Sequence, residues 1–253
     1  MTAPGEALAA DRARQPHAIL DRDSRVHKAR KIVALVGEGR FARARRILEI
    51  GCGSGVIAQT LAALAGDGVE VHAVDVVDNR IERDGYAFQL VAGTDLPYPD
   101  GHFDLVVSNH VIEHVGGAEA QLRHLREIRR VLAPDGLLYQ AVPNRWRLVE
   151  PHFRLPLLSW LPGGLADRYV RAARRGSHYD CVPLAHAQAL ATFAAAGFGA
   201  RDATLAALRA TLRIEHPRSA TARAIAARAP DALLRLGMPV MPTFVFLLAP
   251  EGG

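Results

Sequence analysis

Three glycines within five residues form the clearest candidate ligand site in the sequence. Gly51, Gly53 and Gly55 lie between a short apolar run, typical of a strand, and an Ala- and Leu-rich run, typical of a helix. Glycine lets the backbone approach a ligand closely, and the N-terminus of a helix favours negative charge. The dinucleotide fingerprint needs its third glycine at position 56, where the sequence has Val56. The loop therefore indicates a nucleoside without requiring a diphosphate.

A carboxylate follows at the spacing that a nucleoside site needs. Asp75 ends the next predicted strand, about twenty residues after the glycine loop, where a carboxylate can accept hydrogen bonds from two ribose hydroxyls. Together, the loop and Asp75 predict that the chain binds a nucleoside.

Alternating strands and helices position these residues. The pattern predicts strands at 46–50, 69–74, 88–91, 103–108, 137–142 and 243–248, and helices at 56–65, 119–132, 184–196 and 218–236. This alternation is typical of a parallel sheet with helices on both faces. Ligands of such sheets bind at the carboxyl ends of the strands, so the loops of interest are 51–55, 75–79, 94–96, 108–114 and 143–152.

The regular alternation stops after the fifth strand. Residues 144–180, which we call the lid segment, are rich in Pro, Trp, Leu and Arg, and they directly follow the strand ends that should form the site. We therefore expect four parts: a helical N-terminal segment (1–45), a ligand-binding core (46–143), the lid segment inserted after the fifth strand, and the rest of the same domain (181–253).

Composition excludes several classes of protein. The 253 residues are 49% hydrophobic and 23% charged, as in ordinary globular proteins, and no apolar run reaches the ~18–20 residues of a membrane helix. The first residues lack the order of a secretory signal, so we expect the cytoplasm. Two cysteines, Cys52 and Cys181, are too few for a disulfide framework or a metal cage.

Charge leaves two interpretations open. The chain has 31 basic and 26 acidic residues, and Lys28 and Lys31 are its only lysines. An excess of Arg and Ala is typical of a GC-rich genome, while the net charge of +5 also fits an anionic partner.

Three longer stretches carry a resemblance to a known family. Residues 47–55 (ILEIGCGSG), 96–115 (LPYPDGHFDLVVSNHVIEHV) and 128–138 (IRRVLAPDGLL) resemble motifs of class I S-adenosylmethionine-dependent methyltransferases, in their small-molecule branch. The resemblance covers residues 46–143. It implies an α/β, Rossmann-like, doubly wound sheet of seven mostly parallel strands with helices on both faces, and S-adenosyl-L-methionine as the cofactor.

The resemblance also implies roles for residues. The methionine part of the cofactor should lie over the glycine loop, its amino group near Glu49, its ribose at Asp75, and its adenine against Val76 and the edge formed by Asp95 and the Leu96 amide. The implied cofactor-binding residues are Glu49, Gly51, Cys52, Gly53, Asp75, Val76, Asp95, Leu96 and Asn109. The short distance from Asp75 to the third strand implies that the usual second helix is short or absent, which leaves the adenine side open.

One motif suggests different chemistry. Residues 110–114 (HVIEH) match the H-x-x-E-H pattern of one metallopeptidase group, which needs both histidines on one helical face. His110 should end the fourth strand and His114 should begin the next helix, so we expect no metal there.

Other classes of function remain as alternatives. An RNA-directed methyltransferase fits the pI of 9.7, but residues 108–111 (SNHV) lack the Asn/Asp-Pro-Pro-aromatic motif of DNA amino-methylating enzymes, and no added RNA-binding module is visible. Protein-arginine methylation would need two glutamates where only Glu113 occurs. A non-catalytic SAM-binding domain would not need the polar and aromatic side chains of the lid segment, which could instead pack in the core or contact a membrane surface.

Residues 144–162 of the lid segment also resemble segments of bacterial methyltransferases associated with cell-surface glycans and lipids. The two resemblances together imply a bacterial enzyme that transfers a methyl group, with oxygen favoured as the target, to a small-molecule acceptor, which could be anionic, or to a glycosylated or lipid-linked one. A hydroxyl acceptor needs a base, and histidine titrates closest to neutral pH. We expect the base to be a lid histidine, either His152, which follows Glu150 and could be oriented by it, or His178, which precedes Asp180. His110 is expected to line the pocket wall near the methionine end of the cofactor and is the alternative base.

The Asp75 assignment predicts a binding defect. Replacing Asp75 with Ala should weaken binding of S-adenosylhomocysteine roughly tenfold or more, because a charge-assisted hydrogen bond contributes about 1.5–3 kcal/mol. Isothermal titration calorimetry measures this change, and an unchanged affinity would show that Asp75 does not bind the ribose.

Overall fold

The computed structural model describes residues 21–252, so the first part of the predicted N-terminal segment lies outside the described residues. Seven strands form the main sheet: β1 (Arg46–Ile50), β2 (Glu70–Asp75), β3 (Ala87–Leu90), β4 (Phe103–Asn109), β5 (Leu132–Pro143), β8 (Phe198–Asp202) and β9 (Thr243–Pro250). Two short strands, β6 (Val149–Glu150) and β7 (Leu155–Pro156), pair antiparallel in the lid segment.

Nine α-helices lie in the described part of the chain: α1 (Arg22–Val36), α2 (Glu38–Arg43), α3 (Val56–Ala65), α4 (Ala118–Val131), α5 (Gly163–Ala172), α6 (His186–Ala195), α7 (Thr204–Ile214), α8 (Ala220–Arg228) and α9 (Asp231–Arg235). No helix within residues 21–252 combines the length and the apolar character needed to span a bilayer.

The strand order of the sheet is β3-β2-β1-β4-β5-β9-β8. All neighbouring strands from β3 to β5 pair in parallel, whereas β9 runs antiparallel to β5 and to β8. The predicted seven-stranded, mostly parallel, doubly wound sheet is confirmed. Chain order reverses between β1 and β4, and such a switch point is where open α/β sheets bind ligands.

Two apolar cores cover the two faces of the sheet. Helices α1, α3 and α7 pack on one face and helices α4 and α6 on the other. Neighbouring residues of a strand enter opposite cores, as Ile47 and Leu48 do in β1, which explains why the central strands are continuous apolar runs.

The lid segment has a small core of its own. Phe153, Leu155, Leu158, Ala166 and Val170 are buried together in it. The segment joins the sheet through Asn144, whose side-chain amide donates to the Pro239 and Met241 carbonyls at 2.8 and 2.9 Å. It therefore lies beyond the carboxyl end of β5. Its movement as a lid stays a prediction.

The structure differs from the sequence expectations at several elements. The helix expected over 218–236 is wrong: it divides into α8 and α9 because Pro230 lacks an amide hydrogen and disfavours a helical conformation at Ala229, which is extended. Strand β8 and helix α7 were not predicted. As expected, residues 76–86 form no helix.

The chain between β2 and β3 instead packs over the start of α3. The amides of Ile81 and Glu82 donate to the Ser54 carbonyl at 2.9 and 3.1 Å. Gly55 has φ 78°, and a Cβ added there would collide with the Tyr86 hydroxyl and the Glu82 carbonyl. The third glycine of the loop therefore makes room for protein, which explains its departure from the dinucleotide spacing.

Replacing Gly55 with Ala should lower the free energy of unfolding by more than the same change at Gly197. Gly197 has φ 82° and nothing within 4 Å of an added Cβ, so its change should cost only the left-handed backbone term of about 1–2 kcal/mol. Overpacking should add about 1–3 kcal/mol at Gly55. Urea unfolding of both variants measures the difference, and equal losses would exclude close packing at Gly55.

Candidate functional site

The loop after β1 and the loop after β4 meet closely at the switch point of the sheet. Gly51 and Gly53 have φ of 70° and 51°, and the Gly51 amide donates to the Val74 carbonyl at 2.8 Å. A Cβ on Gly51 would lie 2.5 Å from a methyl carbon of Val111. Only a glycine fits at this position. Cys52, the next residue of the loop, is buried.

Asp75 holds the glycine loop from the end of β2. One carboxylate oxygen accepts from the Gly53 amide at 2.8 Å and the other from the Val76 amide at 2.7 Å. An ionised carboxylate has about four acceptor positions, so it can accept further hydrogen bonds from hydroxyls. The Val76 side chain beside it is 60% exposed and can pack against a planar ring.

Glu49 is a buried carboxyl beside the same loop. One of its oxygens, Oε2, is enclosed and has no hydrogen-bond partner within the described residues. Burial raises the pKa of Glu49 well above its ordinary value, although the Ala58 amide and Arg25 oppose this change. Buried polar atoms are nearly always paired, so this oxygen has capacity to accept a hydrogen bond from a ligand or a water molecule.

Two cations from α1 also reach this region, and sequence reasoning missed both. Arg25 is mostly enclosed and its Nε atom has no partner among the described residues. Burial, together with the charges of Lys31 and Arg25, lowers the pKa of Lys28 to about 7. Arg25 and Lys28 lie three residues apart and so share one face of a helix. The three-residue spacing was the only signal in the sequence for this pair. Both side chains approach the sheet through contacts between distant parts of the chain, which the sequence does not reveal.

The turn after β3 places Asp95 at the surface and buries Leu96. The Leu96 amide, which the resemblance assigns to adenine, donates to Glu127 Oε1 at 2.8 Å. Arg130 holds this carboxylate at 2.7 Å and also donates to the Leu96 carbonyl at 3.0 Å. The amide is thus engaged with α4, and adenine binding through it would require that bond to open.

The chain turns sharply where β4 ends. His110 adopts φ 61°, a region that residues with a side chain seldom occupy and that is often found at functional sites. The Asn109 Oδ1 atom is enclosed and lacks a partner in the described chain. Asn109 and His110 therefore lie at the carboxyl end of β4, adjacent to the glycine loop.

His110 forms a pair with a buried carboxylate. Its Nδ1 lies 3.4 Å from Glu113 Oε1, and its Nε2 lies 3.3 Å from the Thr243 hydroxyl. Burial lowers the pKa of His110, and Glu113 partly offsets this. Burial alone would raise the pKa of Glu113. The interactions with His110 and His114 have the larger effect, so the pKa of Glu113 is lowered. The pair is thus a neutral imidazole beside a carboxylate at neutral pH.

The two histidines of the H-x-x-E-H pattern do not share an α-helical face. His110 follows β4 directly, whereas residues Ile112–His114 form a single 3-10 turn. This arrangement matches the expected strand-to-helix junction. The absence of a metal at His110, Glu113 and His114 stays a prediction.

The two lid histidines lie in different surroundings. His152 stacks edge-on against His114, with ring centroids 5.6 Å apart. The Glu150 carboxylate pairs with Arg147 at 2.6 Å and accepts from the Phe153 amide at 2.7 Å, while its orientation of the His152 ring stays a prediction. His178 is exposed, and its Nδ1 lies 2.9 Å from the Ser177 hydroxyl. His152 thus adjoins the loop after β4, while His178 is at the protein surface.

Glu49 should make cofactor binding depend on pH. If Glu49 binds the cofactor ammonium group, its raised pKa means that it must lose a proton on binding, so affinity should rise with pH up to that pKa. Calorimetry with S-adenosylhomocysteine in buffers of different ionisation enthalpy measures this proton release. The Glu49→Gln variant is the control and should release less; equal release from both proteins would argue against the assignment.

Comparison with known proteins agrees with this geometry. Residues 48–140 match a family described as "Methyltransferase domain". A protein of Mycobacterium tuberculosis named a probable S-adenosylmethionine-dependent methyltransferase is 40% identical over 106 residues, which are 40% of this chain and 37% of that protein. A ubiquinone biosynthesis O-methyltransferase of Cereibacter sphaeroides is 30% identical over 134 residues, covering 48% of this chain and 52% of the relative. The chain thus spans about half or less of these relatives.

A solved structure shares the general fold. The S-adenosylmethionine-dependent methyltransferase from Mesorhizobium loti superposes with a TM-score of 0.55, at 15% identity, over 87% of this chain and 95% of that one. This likeness concerns the fold alone. The sheet order, the glycine loop with Asp75 and the matched domain together support a class I S-adenosylmethionine-dependent methyltransferase core at residues 48–140.

Proposed function

We propose that this chain transfers the methyl group of S-adenosylmethionine to a hydroxyl oxygen of a small-molecule acceptor. The observation that carries the proposal is the His110–Glu113 pair, which combines a neutral imidazole, a carboxylate and a strained backbone beside the glycine loop. Oxygen acceptors need such a base, whereas an already ionised acceptor needs little more than alignment.

The residues around the glycine loop fit the cofactor. The unpaired Glu49 oxygen can accept from an ammonium group, Arg25 and Lys28 can neutralise a carboxylate, and Asp75 has acceptor capacity for a ribose. When bound, S-adenosylmethionine supplies a methyl carbon activated by its sulfonium. These side chains would bind the cofactor at its charged end and its ribose, which fixes the methyl group relative to the loop after β4.

His110 would accept the acceptor's proton. With its Nδ1 hydrogen directed at Glu113, the Nε2 lone pair faces Thr243 and can accept a hydrogen bond from a hydroxyl. As the acceptor oxygen takes the methyl group that bound S-adenosylmethionine would supply, leaving S-adenosylhomocysteine, the hydroxyl proton would pass to Nε2. Ionised Glu113 stabilises the resulting imidazolium. Asn109 can position the acceptor or the cofactor through its unpaired Oδ1 atom.

Lid residues support a lipid-linked acceptor. Trp146, Leu148, Val149, Leu157 and Trp160 are between 38% and 54% exposed, and the two indole rings meet at 5.4 Å. Arg145 lies beside Trp146. An apolar surface with an adjacent cation suits an acceptor that has an apolar tail and an anionic or glycosylated head.

The O-methylation named for the Cereibacter relative supports oxygen as the target. Both cysteines are free thiols, which fits the proposed cytoplasmic location.

An acceptor screen tests this function. Purified protein and S-adenosylmethionine bearing a deuterated methyl group would be incubated with phenols, prenylated quinols, glycolipids and structured RNA, and the products analysed by mass spectrometry. Labelled ether on a small acceptor supports the proposal. Label on RNA alone would favour the RNA-directed alternative, and cofactor binding without transfer to any acceptor would favour a non-catalytic domain.

Replacing His110 with Asn should reduce turnover by about 10²–10⁴-fold, because a positioned base contributes that much. Asn tolerates the left-handed backbone, so the fold and the affinity for S-adenosylhomocysteine should persist. The exposed His216→Asn variant should turn over like the unaltered protein. At saturating cofactor, wild-type turnover should fall as the medium is acidified through the lowered pKa of His110. Glu113, Lys28, Arg147 and Thr243 surround that imidazole.

Variants of the two lid histidines test the opposite assignment of the base. If turnover falls about 10²–10⁴-fold in His152→Ala or His178→Ala but not in His110→Asn, the base lies in the lid segment, as the sequence suggested. If all three variants turn over normally, the acceptor reacts in an ionised form.

A further inference from the structure

Three metal-binding side chains meet where the lid segment contacts the loop after β4. His114, His152 and Cys181 each place one ligand atom within 4.8 Å of the others, and they come from three separate stretches of chain. Cys181 is buried and both histidines are partly buried. The family motifs contain neither His152 nor Cys181, so the cluster depends on how the lid segment folds back.

The distances suit a tetrahedral ion. His114 Nδ1 lies 3.8 Å from Cys181 Sγ. Zinc–nitrogen bonds of about 2.0–2.1 Å and zinc–sulfur bonds of about 2.3 Å, at a tetrahedral angle, separate the two ligand atoms by roughly 3.5 Å. A shift of a few tenths of an ångström would thus bring this pair to ligand geometry.

A carboxylate lies near the second nitrogen of one of the histidines. His114 Nε2, the nitrogen that faces away from the thiol, lies 3.8 Å from Glu113 Oε1. Histidines that bind zinc commonly direct their second nitrogen at a carboxylate, which fixes the ring and increases its basicity. Glu113 is almost fully buried, so this arrangement is sheltered from solvent.

The local charge also favours a cation. The thiol of Cys181 lies 3.8 Å from Asp180 Oδ1, so a carboxylate adjoins the cluster. A divalent cation bound there would displace the thiol proton and hold the thiolate. A second cluster, formed by Glu70, His72 and His102, lies at the surface with Arg46 3.5 Å from Glu70, and that cation opposes metal binding there.

We propose that His114, His152 and Cys181 bind one zinc ion, which attaches the lid segment to the loop after β4. One thiolate and two imidazoles match the ligand preference of zinc, and three protein ligands leave a fourth position for water. This site is distinct from the H-x-x-E-H pattern, because it uses the side of His114 that faces away from Glu113.

Cobalt(II) titration of the untagged, metal-free full chain tests the site without acceptor or cofactor. We expect one equivalent to bind, with thiolate-to-cobalt charge-transfer absorption in the near ultraviolet and release of the Cys181 proton. Cys181→Ser should abolish the charge-transfer band, while Cys52→Ser, the matched control, should retain it. Zinc should displace the cobalt.

Two further variants examine a second ligand, His152, and the outer carboxylate, Glu113. His152→Ala should weaken cobalt affinity by at least tenfold, and Glu113→Gln should weaken it about 10–100-fold, as outer partners of metal ligands do. Circular dichroism would check that each variant is folded. A folded wild-type chain that gives no charge-transfer band, a band that survives Cys181→Ser, or an affinity unaffected by His152→Ala would each overturn the proposal. These outcomes do not depend on whether the chain transfers methyl groups.

Discussion

The close approach of the β1 and β4 loops is the constraint on which the site depends. Parallel neighbours leave the sheet at the same edge, so their loops compete for one space, and the contact between Gly51 and Val111 leaves no room for a Cβ. Because one loop has no side chain there, the other can turn within van der Waals distance and bring Asn109, His110 and Glu113 beside the glycine loop. The cofactor region and the candidate base therefore adjoin each other through backbone geometry, before any ligand binds.

Much of the cofactor half could be predicted because its signals are local. The residues from Ile47 to Gly55 encode a strand, a tight turn and a helix in one stretch, and Asp75 ends a strand whose place beside β1 follows from the parallel order. The seven-stranded architecture followed from the same motifs.

The remainder depends on contacts between distant parts of the chain. Arg25 and Lys28 reach the site only because α1 packs on the sheet, and nothing near them in sequence indicates this. The Glu127 carboxylate accepts a hydrogen bond from the Leu96 amide, although the two residues are 31 positions apart in sequence. The meeting of His152 with His114 depends on an irregular segment whose path is set by its own core and by the Arg147–Glu150 pair, and that pair was not predicted from the sequence.

The lid segment has an apolar core separate from the two cores of the sheet. Substitutions in groups that share no partners act nearly additively, so changes in this small core should leave the stability of the glycine loop largely unaffected. Such a division permits a lineage to remodel the lid surface while the glycine loop stays under unchanged selection. The lid segment and the glycine loop of this chain can therefore evolve at different rates.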